Sequence, residues 1–187
     1  MDKKVEVELS KPLDRSHVSV RQQSGMSLSY IEGHHAIREA NRIFGFDGWS
    51  YSIHSLSLTD CGKNTKGNHI VSAQAIVIVS AIGVTRQDVG YGTGIGRDIA
   101  SANESAGKEA VTDAMKRALR TFGDPFGNAL YDKQQKHVAD VLDDSIIDSI
   151  NSAETIETLR EIWQTKCNGD TRYTALINQK KKELGNA

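Results

Sequence analysis

The chain has 187 residues, of which 38% are hydrophobic and 25% charged, the profile of one globular domain with a small appendage. No run approaches the ~20 apolar residues of a membrane span, and two distant cysteines, Cys61 and Cys167, make neither a disulfide framework nor a zinc spacing. The formal net charge is -1, divided as 17 Lys and Arg against 15 Asp and Glu over residues 1–139 and 6 against 9 over residues 140–187, which excludes binding a polyanion through bulk charge and leaves local clustering as the only route.

Met1 to Asp14 is charged and weakly patterned, and is expected to be a loose arm. Tyr30 to Trp49 reads as a helix stopped at Gly45, with Ala36, Ile37, Ala40, Ile43 and Phe44 as its buried stripe. The adjacent His34 and His35 would point about 100° apart on that helix, too divergent to share a metal; they read as a surface and half-buried pair. Three strands follow. Tyr51–Leu58 alternates imperfectly, and its register shift near His54 and Ser55 predicts a bulge. Asp60–Asn68 carries turn chemistry throughout. His69–Ile82 is rich in β-branched residues with apolar side chains on both faces, predicting a central strand covered on both sides. Gly83 turns into Val84–Gly92, giving an antiparallel meander.

The glycines of GYGTGIG, Gly90 to Gly96, miss the dinucleotide-binding spacing. A third glycine would be needed at 95 or 97, where Ile95 and Arg97 stand, and the Gly-Lys-Ser/Thr ending of a phosphate loop is absent. A flexible strand-to-helix turn that lets backbone approach closely is expected instead. Lys108–Gly123 then forms a helix. At ~100° per residue Val111, Met115, Ala118 and Phe122 share one stripe and Lys116, Arg117 and Arg120 fall on the other side. No nucleophile, metal site or phosphate loop accompanies these cations, so the basic face suggests a polyanion, nucleic acid first, with a solvated helix face as the plain alternative. Pro125 lies just past the helix, where a stop is expected.

From Asp140 the composition changes to three short amphipathic helices, with Asn151 and Glu154 as a helix-start signal and Gly169 between the second and third. Domains are therefore expected at 1–139 and 140–187. The second piece reads either as a helical appendage, partly disordered, or as a docking module offering Leu159, Ile162 and Trp163 as an apolar contact patch.

Three motifs, YIEGHHAIREANRIFGFDGW, DVGYGTG and KEAVTDAMKRALRTFGDPFGNALYDK, occur in this order over Val18 to Lys133. They resemble the Rad52 family of single-strand annealing proteins, including its phage and prophage members; residues 140–187 lie outside the resemblance. The resemblance implies an α+β fold: a β-β-β-α core, here the meander packed on the long basic helix, with a protruding β-hairpin. It implies side-by-side homo-oligomers, rings or helical arcs, with single-stranded DNA in a continuous positive groove. It also implies ATP-independent annealing of complementary strands in homologous recombination and DNA repair, with no catalytic residue, cofactor or metal. The arginine preceding YIEG and the Lys-Arg pair of KRALR match Arg21, Lys116 and Arg117, and Arg120 is the second arginine of that motif. Tyr30, Arg97 and Lys108 complete the expected DNA-binding set.

Two departures stand out. IASANESAG replaces a lysine-bearing stretch and leaves only Arg97 and Lys108 for an outer DNA site. Directly after Phe122-Gly123, Asp124, Pro125 and Phe126 take the place of the Asn-Ala-Leu that the resemblance implies there, altering a connection. The other readings are an end-binding protein that protects single strands without pairing them, and a nucleotide- or metal-dependent nuclease. Partners expected at 140–187 are a single-strand binding protein or a companion exonuclease, and the expected location is the cytoplasm, nucleoid-associated or in a phage-infected host.

Overall fold

A computed structural model describes residues 2–23, 25–139 and 142–185. Its elements are α1 (Lys3–Ser10), β1 (Leu13–Asp14), β2 (Val18–Gln23), β3 (Met26–Ile31), α2 (Gly33–Phe44), β4 (Trp49–Lys63), β5 (His69–Ala81), β6 (Val84–Gly96), α3 (Ile99–Arg120), β7 (Val138–Ala139), α4 (Asp144–Asn151), α5 (Ile156–Thr165) and α6 (Thr174–Gly185). The chain divides into two compact units after Ala139.

In the first unit β4, β5 and β6 form an antiparallel sheet with β5 central. The β5–β6 turn is two residues, Ile82 and Gly83, with φ of 49° and 73°. Two positive φ values match the right-handed twist of a tight hairpin. A register shift between Ile53 and Ser55 breaks the β4–β5 ladder, where the apolar alternation of β4 fails. The sheet lies on α3, and β2 and β3 form a separate two-stranded hairpin. This is the expected α+β arrangement of a three-stranded meander on a long helix.

α3 and β6 meet through the smallest side chains. Ala102, Ala106, Ala110, Ala114 and Ala118 recur every fourth residue and are wholly buried. Opposite them Gly90, Gly92, Gly94 and Gly96 recur every second residue on β6. Four residues of helix rise ~6.0 Å and two of strand ~6.8 Å, so the two rows stay in step. A Cβ on any of these four glycines would come within 3.0 Å of helix backbone.

Several expectations are corrected. Residues 3–14 are not a loose arm: Asp2 caps α1 by accepting from the Lys4 N–H, Leu9 and Leu13 enter the core, and Leu13 pairs with Val138 in a parallel β1–β7 ladder. β4 continues to Lys63, so the loop shrinks to Asn64–Asn68, closed by the Asn64 side chain accepting from the N–H groups of Lys66 and Asn68. β5 buries one face only. Val71, Ala73, Ala75, Val77 and Val79 face α3, while Ser72, Gln74 and Ser80 are exposed and Ile76 and Ile78 half-exposed. The glycine motif is strand rather than turn, although close backbone approach is its function. α3 starts at Ile99, nine residues before Lys108, because Asp98 caps it by accepting from the Ser101 N–H at 2.8 Å. A cap of this kind is worth ~1 kcal/mol. Phe122 lies beyond the helix and Val111 is only half-buried; Leu119 and the alanines fill the stripe instead.

α2 does end at Gly45, whose φ is 86°. It buries His35, Ala36, Ala40 and Ile43 and leaves Ile37 exposed, while Tyr30 and Ile31 belong to β3. His35 is 5% exposed, its ring 4.1 Å from that of His17.

The second unit is folded around its own core of Ile150, Ala153, Leu159, Ile162, Cys167 and Tyr173. Thr155, not Asn151, caps α5 by accepting from the Thr158 N–H; Asn151 ends α4. Leu159 and Ile162 are therefore core residues, and of the expected patch only Trp163 remains half-exposed. Among the described residues no helix is long and apolar enough to cross a membrane, and no cluster of three His, Cys, Asp or Glu is placed to hold a metal.

Candidate nucleic-acid interface

The β2–β3 hairpin, the exposed side of α3 and the segment Leu130–Gln135 enclose an open cleft of about 1090 Å³. Strand pairing sets one wall. Arg21 lies opposite Leu28 and Ser19 opposite Tyr30, so Arg21, Leu28 and Tyr30 share one face of the hairpin. The helical period sets the other wall with Lys108, Thr112, Lys116 and Arg117. Tyr30 links the two: Arg21 stands 5.6 Å from its ring centroid and the Lys116 Nζ 5.4 Å. Each is within the range of a cation–π attraction.

The three helix cations are not freely solvated. Lys116 donates to the Ile31 carbonyl at 3.1 Å, and burial pushes its ammonium pKa down while the Asp113 and Glu32 carboxylates pull the other way. Arg117 meets Asp88 at 3.3 Å and Arg120 meets the same carboxylate at 3.7 Å. The Arg120 guanidinium also lies over the Tyr131 ring at 4.0 Å. The basic face is thus a half-buried, preorganised array, which loses little side-chain entropy when a phosphate arrives.

Of the seven residues expected to touch DNA, five cluster here: Arg21, Tyr30, Lys116, Arg117 and, on the floor beneath Tyr131, Arg120. Lys108 stands on the rim, exposed and paired with Glu104. Arg97 lies in the turn before α3 and does not line the cleft.

Sequence reasoning missed the acidic partners. Asp88 was visible inside DVGYGTG, yet nothing local ties it to Arg117, 29 residues away. Glu109 and Asp113 accept hydrogen bonds from the backbone N–H groups of Thr93 at 2.8 Å and Tyr91 at 3.3 Å. Their spacing of four on α3 matches the spacing of two on β6, and together they occupy that edge of the sheet. That i, i+4 carboxylate pair beside a glycine strand was the available signal.

Comparison with known proteins follows the same lines. A family model described as Rad52/22 family double-strand break repair protein matches residues 2–145. The DNA repair and recombination protein RAD52 of Kluyveromyces lactis is 40% identical over 187 aligned residues, covering 97% of this chain and 42% of its own length. The DNA repair and recombination protein rad22 of Schizosaccharomyces pombe is 43% identical over 129 residues, covering 67% and 28%. RAD52 of Saccharomyces cerevisiae is 42% identical over 132 residues, covering 69% and 28%. The chain thus spans less than half the length of these curated relatives. The Kluyveromyces alignment reaches well into residues 140–187, correcting the expectation that similarity stops before them.

Proposed function

Because this chain belongs to the Rad52/22 family of double-strand break repair proteins, we propose that its first unit binds single-stranded DNA and anneals complementary strands in recombinational repair, without ATP. The observation that carries this reading is the cleft itself. Arg21 and Lys116 flank the Tyr30 ring, and together with Arg117 they line one open trough.

Such cations neutralise phosphates without reading bases. Each phosphate that these cations neutralise releases counterions condensed on the strand, so affinity falls with salt. A strand gripped by its backbone keeps its bases available, and holding it extended removes part of the ordering entropy from the encounter with the second strand. No bond is broken, so the reading requires no catalytic residue.

Self-association belongs to the same proposal. β4 presents Tyr51, Ile53, Leu56 and Leu58, each more than two-fifths exposed, and Leu56, Leu58 and Val111 line a shallow apolar trough against α3. A contiguous apolar surface of this kind fits a second copy of the chain. Repeated protomers would set their clefts in a row, so that a few contacts each add up to tight binding. The second unit is proposed to dock a partner protein.

The test is a strand-pairing assay with naked complementary oligonucleotides, without ATP or Mg²⁺. Pairing faster than the protein-free rate is expected, and its loss in the Lys116→Ala, Arg117→Ala double variant. Tight single-strand binding with no acceleration would make this an end-protecting protein instead.

A further inference from the structure

Between α5 and α6 the second unit holds a groove of about 260 Å³. Its floor and walls are Ile156, Leu159, Trp163 and Ile177, and its rim carries Arg160 and Lys181 with no carboxylate. The surroundings make that rim unusual. The unit is acidic overall, with nine Asp and Glu against six Lys and Arg over residues 140–187. Three of those cations are held within the unit: Lys166 by the Ser149 hydroxyl, Arg172 by Asp170 and Lys180 by the Asn151 carbonyl. Arg160 and Lys181 have no ion pair or side-chain hydrogen bond among the described residues. Two unpartnered cations therefore border an apolar slot large enough for one or two side chains.

We propose that this groove docks an acidic peptide segment of a partner protein, which plants one apolar side chain between Trp163 and Ile177 while its carboxylates pair with Arg160 and Lys181. The charges decide against a nucleic acid. A polyphosphate extending beyond the groove meets a unit with nine carboxylates against six cations over residues 140–187, whereas a short acidic segment needs only the two rim cations. An aliphatic slot with a single aromatic wall also suits a side chain better than a run of stacked bases, which needs successive aromatic platforms. The inference deepens the partner-docking part of the proposed function and is independent of strand pairing.

The test uses the full chain and fluorescence anisotropy. The probes are fluorescein-labelled dodecapeptides with a central Leu, Phe or Trp among Asp and Glu. Controls have a central Gly, or Asn and Gln in place of the carboxylates, and a labelled thymidine 30-mer is titrated in parallel. At least one anchored acidic peptide should saturate below about 0.1 mM, and Arg160→Glu with Lys181→Glu should weaken it by about tenfold or more. Arg160→Lys with Lys181→Arg should retain it. Both charge-reversed side chains are exposed and make no ion pair or hydrogen bond among the described residues, so the thermal melt and the annealing rate should not change. The proposal is overturned if no anchored acidic peptide binds, if charge reversal leaves its affinity intact, or if reversal weakens only the oligonucleotide. Failure of annealing in the unmodified chain would sink the strand-pairing reading and leave the peptide result standing.

Discussion

Asp88 sets how much positive charge the cleft presents. It faces both Arg117 and Arg120, and the same carboxylate accepts the Val89 N–H at 2.8 Å. Asn in its place keeps that acceptor and removes the charge. Asp88→Asn should therefore tighten binding of a labelled oligothymidylate by roughly three- to tenfold at low ionic strength, with the gain fading as salt screens it. The cost in stability should be no more than ~1 kcal/mol. Weaker binding at every salt concentration would mean that the pair positions the arginines and does not mask them. His35 supplies a pH test. Burial, and then its neighbour His17, lower its pKa below the ordinary 6.5, with Glu39 pulling the other way. The unfolded chain then takes up a proton below about pH 6.5 that the native state does not. Stability should be flat above that point and fall as the pH drops towards the lowered value. The urea midpoint should be lower at pH 5 than at pH 7.5, and less so in His35→Asn; a midpoint unchanged in the parent chain would contradict the assignment.

At the scale of elements, the α3–β6 contact tolerates no added atom on its strand side. Gly92→Ala would drive a Cβ against the backbone of Ala106 and Ala110. Side chains can change rotamer but helix backbone cannot, so a loss of ~3 kcal/mol or more in urea unfolding is expected. Gly107, midway along α3, would meet only the end of the Leu56 side chain at 3.8 Å, and Gly107→Ala should be neutral or stabilise by up to ~1 kcal/mol. Equal behaviour of the two variants would refute the packing described. The same contact divides what is legible in the sequence from what is not. The bulge at Ile53–Ser55, the central place of β5 and the Gly45 stop were legible because they follow from period and turn chemistry. The strand carrying Gly90–Gly96 was not, because four glycines signal flexibility unless the facing alanine row, six residues beyond, is read with them. The ordered N-terminal segment was hidden for another reason: Leu13 is held by Val138, and no local pattern encodes a pairing that distant.

For the whole molecule, the division after Ala139 separates two cores that share none of their residues. Charge sign and helical patterning both change at this point of the sequence. The cleft was half legible. Arg21, Tyr30, Lys116 and Arg117 could be named from the motifs, but their convergence depends on a hairpin folding over a helix 85 residues away. Masking by Asp88 could not be anticipated either. The account as a whole stands on a phosphate grip repeated from protomer to protomer. It is tested most directly by the salt dependence of oligothymidylate binding between about 50 and 200 mM salt, measured for the parent chain and for Lys116→Ala with Arg117→Ala. Two lost phosphate contacts should flatten the slope of log affinity against log salt by about 1.4 for each protomer engaged, with weaker binding throughout. Identical slopes and affinities in the two proteins would place the strand elsewhere and contradict the account.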